Sequence, residues 1–314
     1  MPELPEVETT TRGLRRTILG LQIKDVWTDL STKDKRQQEA VANPKYFKVF
    51  KKEILNEKVL SVERRGKNIL IHISGGKTIL IHMKMTGHLL YGKYKFHPSP
   101  TLPLARGGRR VGSWIPAETS SPLNDPYSRF VHVIFIFSNG KHLAFSDSRK
   151  FGKITLLDTK IAHNSKHLKD VGPDPLDKNF DVKKLKERLS RKPNGKIKTV
   201  LVDQSILAGI GNIYSDEILW RAGVHPERRV SSLKEKELKL IFMAIKETLT
   251  KGIGFGGDSI SDYRNVDGLK GKFQLHHEAY GRTGEKCKKR GCKGIILRKV
   301  INGRSAHFCD THQK

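Results

Sequence analysis

The sequence predicts an α+β, multi-domain chain: an N-terminal β-sandwich with flanking helices, a central helical domain and a C-terminal zinc finger hairpin. Three observations carry this. Strand patterning and turns fill the first half, helical spacing takes over after Val171-Gly172-Pro173-Asp174-Pro175-Leu176, and all three cysteines fall between positions 287 and 309. The boundaries are expected at 1–171, 177–258, a connecting segment at 259–281, and 282–314.

Residues 4–19 read as a helix, with Leu4, Val7, Leu14 and Ile18 at helical spacing, Pro5 in the first turn and Gly20 at the end. Over 59–90 the period changes to two: Ile69, Ile71 and Ile73 alternate with Leu70 and His72, Gly75-Gly76 turns the chain, and Thr78 to Met83 returns. Val133–Phe137 and Lys141–Phe145 flank Asn139-Gly140, the preferred type I′ hairpin dipeptide. These strands predict two packed sheets. Residues 92–128, rich in proline and carrying Gly107-Gly108-Arg109-Arg110, read as a long mobile loop. Past the linker, Lys183–Leu189 is amphipathic. Thr199–Leu207 leads into Ala208-Gly209-Ile210-Gly211-Asn212, and Ile213–Arg221 follows with Asn212 as the expected N-cap. Ser232-Leu233-Lys234-Glu235 reads as a capping box opening a helix to about Lys251, and Gly252–Gly271 as a flexible loop.

Sixty Lys plus Arg against 32 Asp plus Glu leave a formal charge of +28 over 314 residues. So large an excess implies a polyanionic partner, nucleic acid first. No run of 18 apolar residues indicates a membrane span, and Pro and Glu stand where a signal peptide would be apolar. An odd, local set of cysteines argues for a reducing compartment rather than a disulfide framework.

The tail reads Cys287-x4-Cys292, then Cys309-x2-His312. Two ligand pairs around a hairpin-length segment suit one structural zinc of Cys3His type, and a module of this size needs such a metal to fold. His312 lies three positions from Lys314, where fraying competes with ligation; His307 is the alternative imidazole, less well spaced. At the other end, removal of Met1 leaves Pro2 as a secondary amine with Glu3 and Glu6 within one helical turn. Such an amine can attack an electrophilic carbon and form an iminium, and an α-amino group titrates far below Lys. On these residues alone a second reading stands: Pro2 and Pro5 start a helix, and Glu3 and Glu6 complement its dipole. The turn at 208–212 likewise admits two readings, a phosphate site at a helix N-terminus or ordinary capping.

Taken together, Pro2-Glu3-Leu4-Pro5-Glu6-Val7, Arg64-Arg65-Gly66-Lys67, His82-Met83-Lys84-Met85-Thr86-Gly87, Asp147-Ser148-Arg149-Lys150-Phe151-Gly152, Gly209-Ile210-Gly211-Asn212-Ile213-Tyr214 and Gly303-Arg304-Ser305 decide between such readings. In this order they resemble the formamidopyrimidine-DNA glycosylase / endonuclease VIII family of base-excision repair enzymes over nearly the whole length. Leu4 is similar to the formamidopyrimidine branch. The resemblance implies a helix-two-turns-helix DNA-binding domain at 177–258, a lesion-capping loop within 252–271, and double-stranded DNA with damaged bases as partner. It implies Pro2 as Schiff-base nucleophile, Glu3 as proton donor and Glu6 in support. Lys67 would serve elimination and grip a phosphate, with His82, Asn212 and Arg304 on others. Met85, Arg149 and Phe151 would fill the space left by a flipped nucleotide. The implied activity is glycosylase plus abasic-site lyase on oxidised purines, by β,δ-elimination, from a cytoplasmic, nucleoid-associated monomer. An endonuclease VIII-like enzyme for oxidised pyrimidines and a non-catalytic damaged-DNA-binding zinc protein are the alternatives. The chain departs from the family pattern in its four-residue spacer at Cys287/Cys292, in His312, in Ser148 where proline is frequent, and in the length of 92–128.

Overall fold

Alternating Ile residues and a run of short turns build two antiparallel four-stranded sheets that share one apolar interior. The computed structural model describes residues 1–34, 37–98 and 112–314. The first half comprises α1 (Leu4–Ile18), β1 (Ile23–Thr28), α2 (Pro44–Ile54), β2 (Val59–Arg65), β3 (Asn68–Ile73), β4 (Lys77–His82) and β5 (His88–Gly92). It continues with β6 (Tyr94–Pro98), β7 (Gly112–Pro116), β8 (Val131–Phe137), β9 (His142–Ser146) and β10 (Lys153–Asp158). The sheets run β1-β8-β9-β5 and β10-β4-β3-β2. Ile69, Ile71, Ile73, Ile79 and Ile81 of one sheet share a buried cluster with Val133, Phe135, Phe137, Leu143 and Phe145 of the other. The cluster also takes Val7, Leu14 and Ile18 of α1 and Phe47, Phe50 and Ile54 of α2. The helix α2 was not anticipated, though Asn43-Pro44 signals it: the Asn43 carboxamide accepts from the Lys45 and Tyr46 N–H groups, both at 3.0 Å.

Two turns exchange roles. The Asn139-Gly140 hairpin exists, but only Gly140 is left-handed, and the Gly140 N–H donates to the Phe137 carbonyl at 3.0 Å. It is a type I turn closed by a glycine, not type I′. The two-residue turn with both residues at positive φ is Asn302-Gly303, at 47° and 76°, which pairs Ile301 with Arg304. Nor is 92–128 a plain loop. Strands β6 and β7 pair across it, and Tyr94 and Leu123 enter a cluster with Leu90, Val131 and Ile134. Residues 107–110 lie outside the described residues.

The second half contains α3 (Val182–Ser190), α4 (Ile197–Leu201), α5 (Asn212–Ala222) and α6 (Glu235–Gly254), then the hairpin β11 (Leu297–Ile301) and β12 (Arg304–Phe308). The box at Ser232 is displaced by two residues. The cap of α6 is Lys234, whose N–H donates to Glu237 at 2.7 Å, because Arg228 occupies the Ser232 hydroxyl and carbonyl. No helix among the described residues is long and apolar enough to cross a membrane.

Helix α5 is the axis of this half. Lys198 on α4 is fully buried and donates to the Asn212 carbonyl, the Ser215 hydroxyl and Asp216 Oδ1, the last at 2.6 Å. Asp216 Oδ2 in turn accepts the His307 backbone N–H at 3.0 Å, fastening the terminal hairpin to α5. Removing one partner of a buried ion pair strands the other charge in a low-dielectric interior. Lys198→Met is therefore expected to destabilise the fold by about 3–5 kcal/mol, read as a lower urea midpoint; an unchanged midpoint would refute the assignment.

Candidate active site

The first residues of the chain enter the seam between the two halves. Leu4 leaves the sandwich and packs in the helical-domain core with Ile210, Tyr214 and Phe273, whereas Val7, one turn on, belongs to the sandwich core. The Leu4 N–H donates to the Gly209 carbonyl at 3.0 Å. Gly209 and Gly211 are required by this approach: a Cβ on either would lie 2.6 Å from Leu4 Cβ or 2.4 Å from Glu3 Cδ.

Glu3 is buried, and its carboxylate accepts the N–H groups of Gly211 at 2.6 Å, Ile213 at 3.0 Å and Tyr214 at 3.4 Å. This corrects the reading of 208–212. The N-cap of α5 is Gly211, not Asn212, and the anion at the helix N-terminus is the chain's own Glu3. Glu6 is also buried. Its Oε1 accepts the Tyr214 hydroxyl at 2.8 Å and the Asp258 N–H at 2.7 Å; its Oε2 accepts the Glu3 N–H at 2.7 Å. Burial, with the neighbouring Glu3 charge adding to it, raises its pKa to about 7. Pro2 is buried and lines a small cavity with Glu6, Met85, Thr86, Ile213, Asp258 and Tyr263. Met1 is exposed, and while it remains the Pro2 nitrogen is an amide.

Four phosphate candidates, Lys67, His82, Asn212 and Arg304, come from both halves of the chain. Lys67 is buried beside Gly66, donates no hydrogen bond among the described residues, and has its pKa lowered by burial, with Glu3 opposing the shift. Lys67 and His82 line one cleft with Lys84 and Lys153. The Lys84 N–H donates to His82 Nδ1 at 3.0 Å. A backbone N–H can only donate, so in the neutral ring Nε2 carries the proton and can donate outward. Burial, then Lys84 and Lys67, push the His82 pKa down to about 3. The Asn212 amide donates to the Ser305 hydroxyl at 3.3 Å, which brings α5 to the hairpin that carries the exposed Arg304.

Met85, Arg149 and Phe151 are exposed and meet at the tips of two loops. Arg149 Nη1 lies 3.4 Å from Met85 Sδ, and its guanidinium carbon stands 4.6 Å over the Phe151 ring. The residue that holds both loops, Asp147, was not singled out in the sequence. It is buried, accepts the Thr86 hydroxyl, and takes the N–H groups of Arg149 at 3.2 Å and Gly152 at 2.7 Å. Ser148, noted as a departure, donates to Asp262 at 3.0 Å and so ties this loop to the 252–271 segment. That segment is built on specific contacts rather than free: Tyr263 is buried with its hydroxyl on the Glu6 carbonyl at 3.1 Å, and buried Arg264 pairs with Asp125 at 2.9 Å.

In the tail, ligand atoms of Cys287, Cys292, Cys309 and His312 all lie within 4.8 Å of one another. His312 Nε2 donates to the Trp220 carbonyl at 3.0 Å, which leaves Nδ1 bare and facing Cys287 Sγ at 3.3 Å. Such an outer bond fixes the tautomer that a zinc ligand needs, so the donor set fits one tetrahedral Zn2+. Fraying is countered by both residues that follow His312. The Gln313 side chain bonds the Cys309 N–H and the Val224 carbonyl, and Lys314 exchanges backbone bonds with His225 and Gly223. His307 is instead held by Asp216, outside this cluster.

Comparison with known proteins agrees with this geometry. The Formamidopyrimidine-DNA glycosylase N-terminal domain family matches residues 1–154, and the Formamidopyrimidine-DNA glycosylase H2TH domain family matches residues 171–264. A formamidopyrimidine-DNA glycosylase of Pelotomaculum thermopropionicum is 36% identical over 314 residues, spanning 100% of this chain and 99% of its own. The Bacillus subtilis protein of that name is 36% identical over 98% of each chain. Wild-type Lactococcus lactis Fpg, solved with DNA containing N7-benzyl-Fapy-dG, superposes with a TM-score of 0.79 at 31% identity over 100% of both chains. The same protein with abasic-site DNA gives 0.79 at 30% identity over 99% of each.

The metal assignment has a direct check. Elemental analysis is expected to give about one zinc per chain, and His312→Ala to speed its loss to a chelator; a zinc-free protein of unchanged stability would refute it.

Proposed function

The chain belongs to the formamidopyrimidine-DNA glycosylase family of DNA repair, and we propose that it excises oxidised purines, 8-oxoguanine and formamidopyrimidines, and then cleaves the strand. The observation that carries this is that Pro2 is buried at the head of α1, lines one cavity with Glu6 and Met85, and is followed by Glu3 and Glu6, whose buried carboxylates are fixed on α5.

Once Met1 is removed, the Pro2 nitrogen supplies the electron pair that bonds C1′ of the damaged nucleotide. The glycosidic pair leaves with the base. Glu3 takes the proton released by the amine and returns it to the base or to the ring oxygen, general acid–base work. Ring opening leaves an iminium between Pro2 and C1′. Its positive charge acidifies the 2′-hydrogen, and loss of that proton expels the 3′ phosphate; a second elimination expels the 5′ phosphate. Glu6, with its pKa near 7, balances charge beside the amine. Lys67 donates a proton or an ion pair to a departing phosphate, while His82, Asn212 and Arg304 hold its neighbours. A nucleotide must leave the stack to reach Pro2. Met85 fills the vacated space, Phe151 wedges the step, and Arg149 bonds the orphaned base. Zinc held by Cys287, Cys292, Cys309 and His312 would be structural, stabilising the module whose hairpin carries Arg304 and meets α5 through Ser305 and His307. The enzyme would act in the cytoplasm, on nucleoid DNA.

Borohydride reduction in the presence of a duplex carrying 8-oxoguanine is expected to trap the chain covalently. Pro2→Gly should cut the yield by at least about tenfold, since a loss of 1.4 kcal/mol in barrier stabilisation already costs that factor. Equal trapping by the variant would overturn the nucleophile. Faster cleavage of a duplex carrying an oxidised pyrimidine would replace the purine assignment with the endonuclease VIII-like one.

A further inference from the structure

One buried ionic pair touches the site without being part of the chemistry. Asp258 follows Gly256 and Gly257, both left-handed at 73° and 87°, and its N–H reaches Glu6 Oε1 at 2.7 Å. Its carboxylate has two contacts of its own. Oδ1 accepts the Ile260 N–H at 3.0 Å, and Oδ2 lies 2.7 Å from His277 Nε2. Both residues are buried, each side chain about 4% exposed.

The protonation state follows from the partners. His277 Nδ1 lies 3.1 Å from the Tyr280 carbonyl, which can only accept, so Nδ1 carries a proton. A bare Nε2 lone pair facing a carboxylate at that distance would be repulsive, so Nε2 carries one as well. The charged groups around the ring favour this. Asp258 and Glu217 of α5 face it, while Arg282, Glu285 and Lys288 line the mouth of an adjoining groove. Burial opposes the charge, and the two carboxylates outweigh it. The ring is also wedged edge-on against Phe273 at 5.3 Å, and Phe273 stacks on Tyr214 at 4.9 Å, the residue whose hydroxyl holds Glu6. His277 thus grips one donor of Glu6 by charge and buttresses the other by packing.

We propose that Asp258 and His277 are a positioning pair for the excision reaction: the His277 imidazolium anchors the Asp258 carboxylate, which keeps the Asp258 N–H on Glu6 and sets the pH range in which Glu6 is ionised beside Pro2. The proposal rests on the proline reading above only for its consequence in activity. Without the anchor the Asp258 peptide is held through the backbone bonds of Gly256 to Ile253 and of Gly257 to Gly252 and Phe273, the donor to Glu6 is less firmly placed, and the ionised form of Glu6 is less favoured.

The test measures the midpoint of Glu6 ionisation by carboxyl-carbon NMR in the DNA-free, Met1-processed protein, alongside the pH profile of single-turnover base release. His277→Leu is expected to raise both midpoints by about one pH unit, the equivalent of one lost bond to a charged group. His277→Gln, whose amide can donate to Asp258, should stay near the wild-type midpoints. A Leu variant that loses rate with both midpoints unmoved, or a Gln variant that shifts as far as Leu, would overturn the pair. If His277→Leu does not fold, Asp258→Ala takes its place and is expected to give the same upward shift; unmoved midpoints there overturn the pair equally. A wild-type protein that releases no damaged base contradicts the proposed function instead, and the NMR midpoints still decide the pair.

Discussion

Glu3 at the N-terminus of α5 is the contact on which the rest depends. It neutralises helix donors that otherwise have no intrahelical partner, and it does so with a carboxylate from 208 residues earlier in the chain. That single bond set closes the seam between the sandwich and the helical half at the point where Pro2 sits. The other faces of α5 are committed in the same way. Tyr214 holds Glu6, Asp216 holds Lys198 and His307, Glu217 accepts the N–H groups of Glu278, Ala279 and Tyr280, and the Trp220 carbonyl orients His312. An eleven-residue helix therefore registers the N-terminal segment, the 278–280 backbone and the Cys/His module against one another.

The sandwich side has a smaller counterpart in Asp147. One buried carboxylate collects a hydroxyl and two backbone donors from two loops, so Met85 and Arg149–Phe151 are presented as a unit. Both devices spend buried charge on position. A buried carboxylate is tolerable only when its lone pairs are filled, and that condition dictates where the donating backbone must run. The precision of the site thus follows from the cost of leaving these groups unsatisfied.

How much of this was legible in the sequence depended on the range of each signal. Local periodicity marked α1, the Ile-rich strands and the Cys/His tail, because hydrophobic spacing and ligand spacing are properties of a few consecutive residues. It missed α2, whose apolar pattern is short, and the paired strands within 92–128, where the pattern is also interrupted by proline. The same Asn-Gly dipeptide was read correctly as a turn at 139–140 but with the wrong geometry, while its copy at 302–303 went unremarked. What could not be read at all were the long-range partners: Glu3 with Gly211, Asp147 with Thr86, Lys198 with Asp216. Their residue types are ordinary in isolation, and only tertiary approach gives them roles. The glycines at 209 and 211 show the difference well. They looked like a phosphate loop, yet their missing side chains make room for Leu4 and Glu3.

The electrostatics of the cleft lined by Lys67 and His82 show how part of a charge of +28 is accommodated in a stable fold. Like charges packed together repel, and burial penalises each of them. The structure relieves this by weakening the charges themselves. His82 is held neutral, with a pKa near 3, yet keeps an N–H to offer, and burial draws Lys67 below its ordinary range. Lys153 and His167, which line the same cleft, are lowered by burial and by their cationic neighbours. A phosphate arriving in this cleft reverses each of these shifts, because a nearby anion favours the protonated form of every group around it. The cleft is therefore less strained filled than empty, and its attraction for an anion is greatest where burial has removed competing water. On this argument an anion gains most from the buried cations of the cleft, Lys67 among them, and less from the exposed lysines, which water screens.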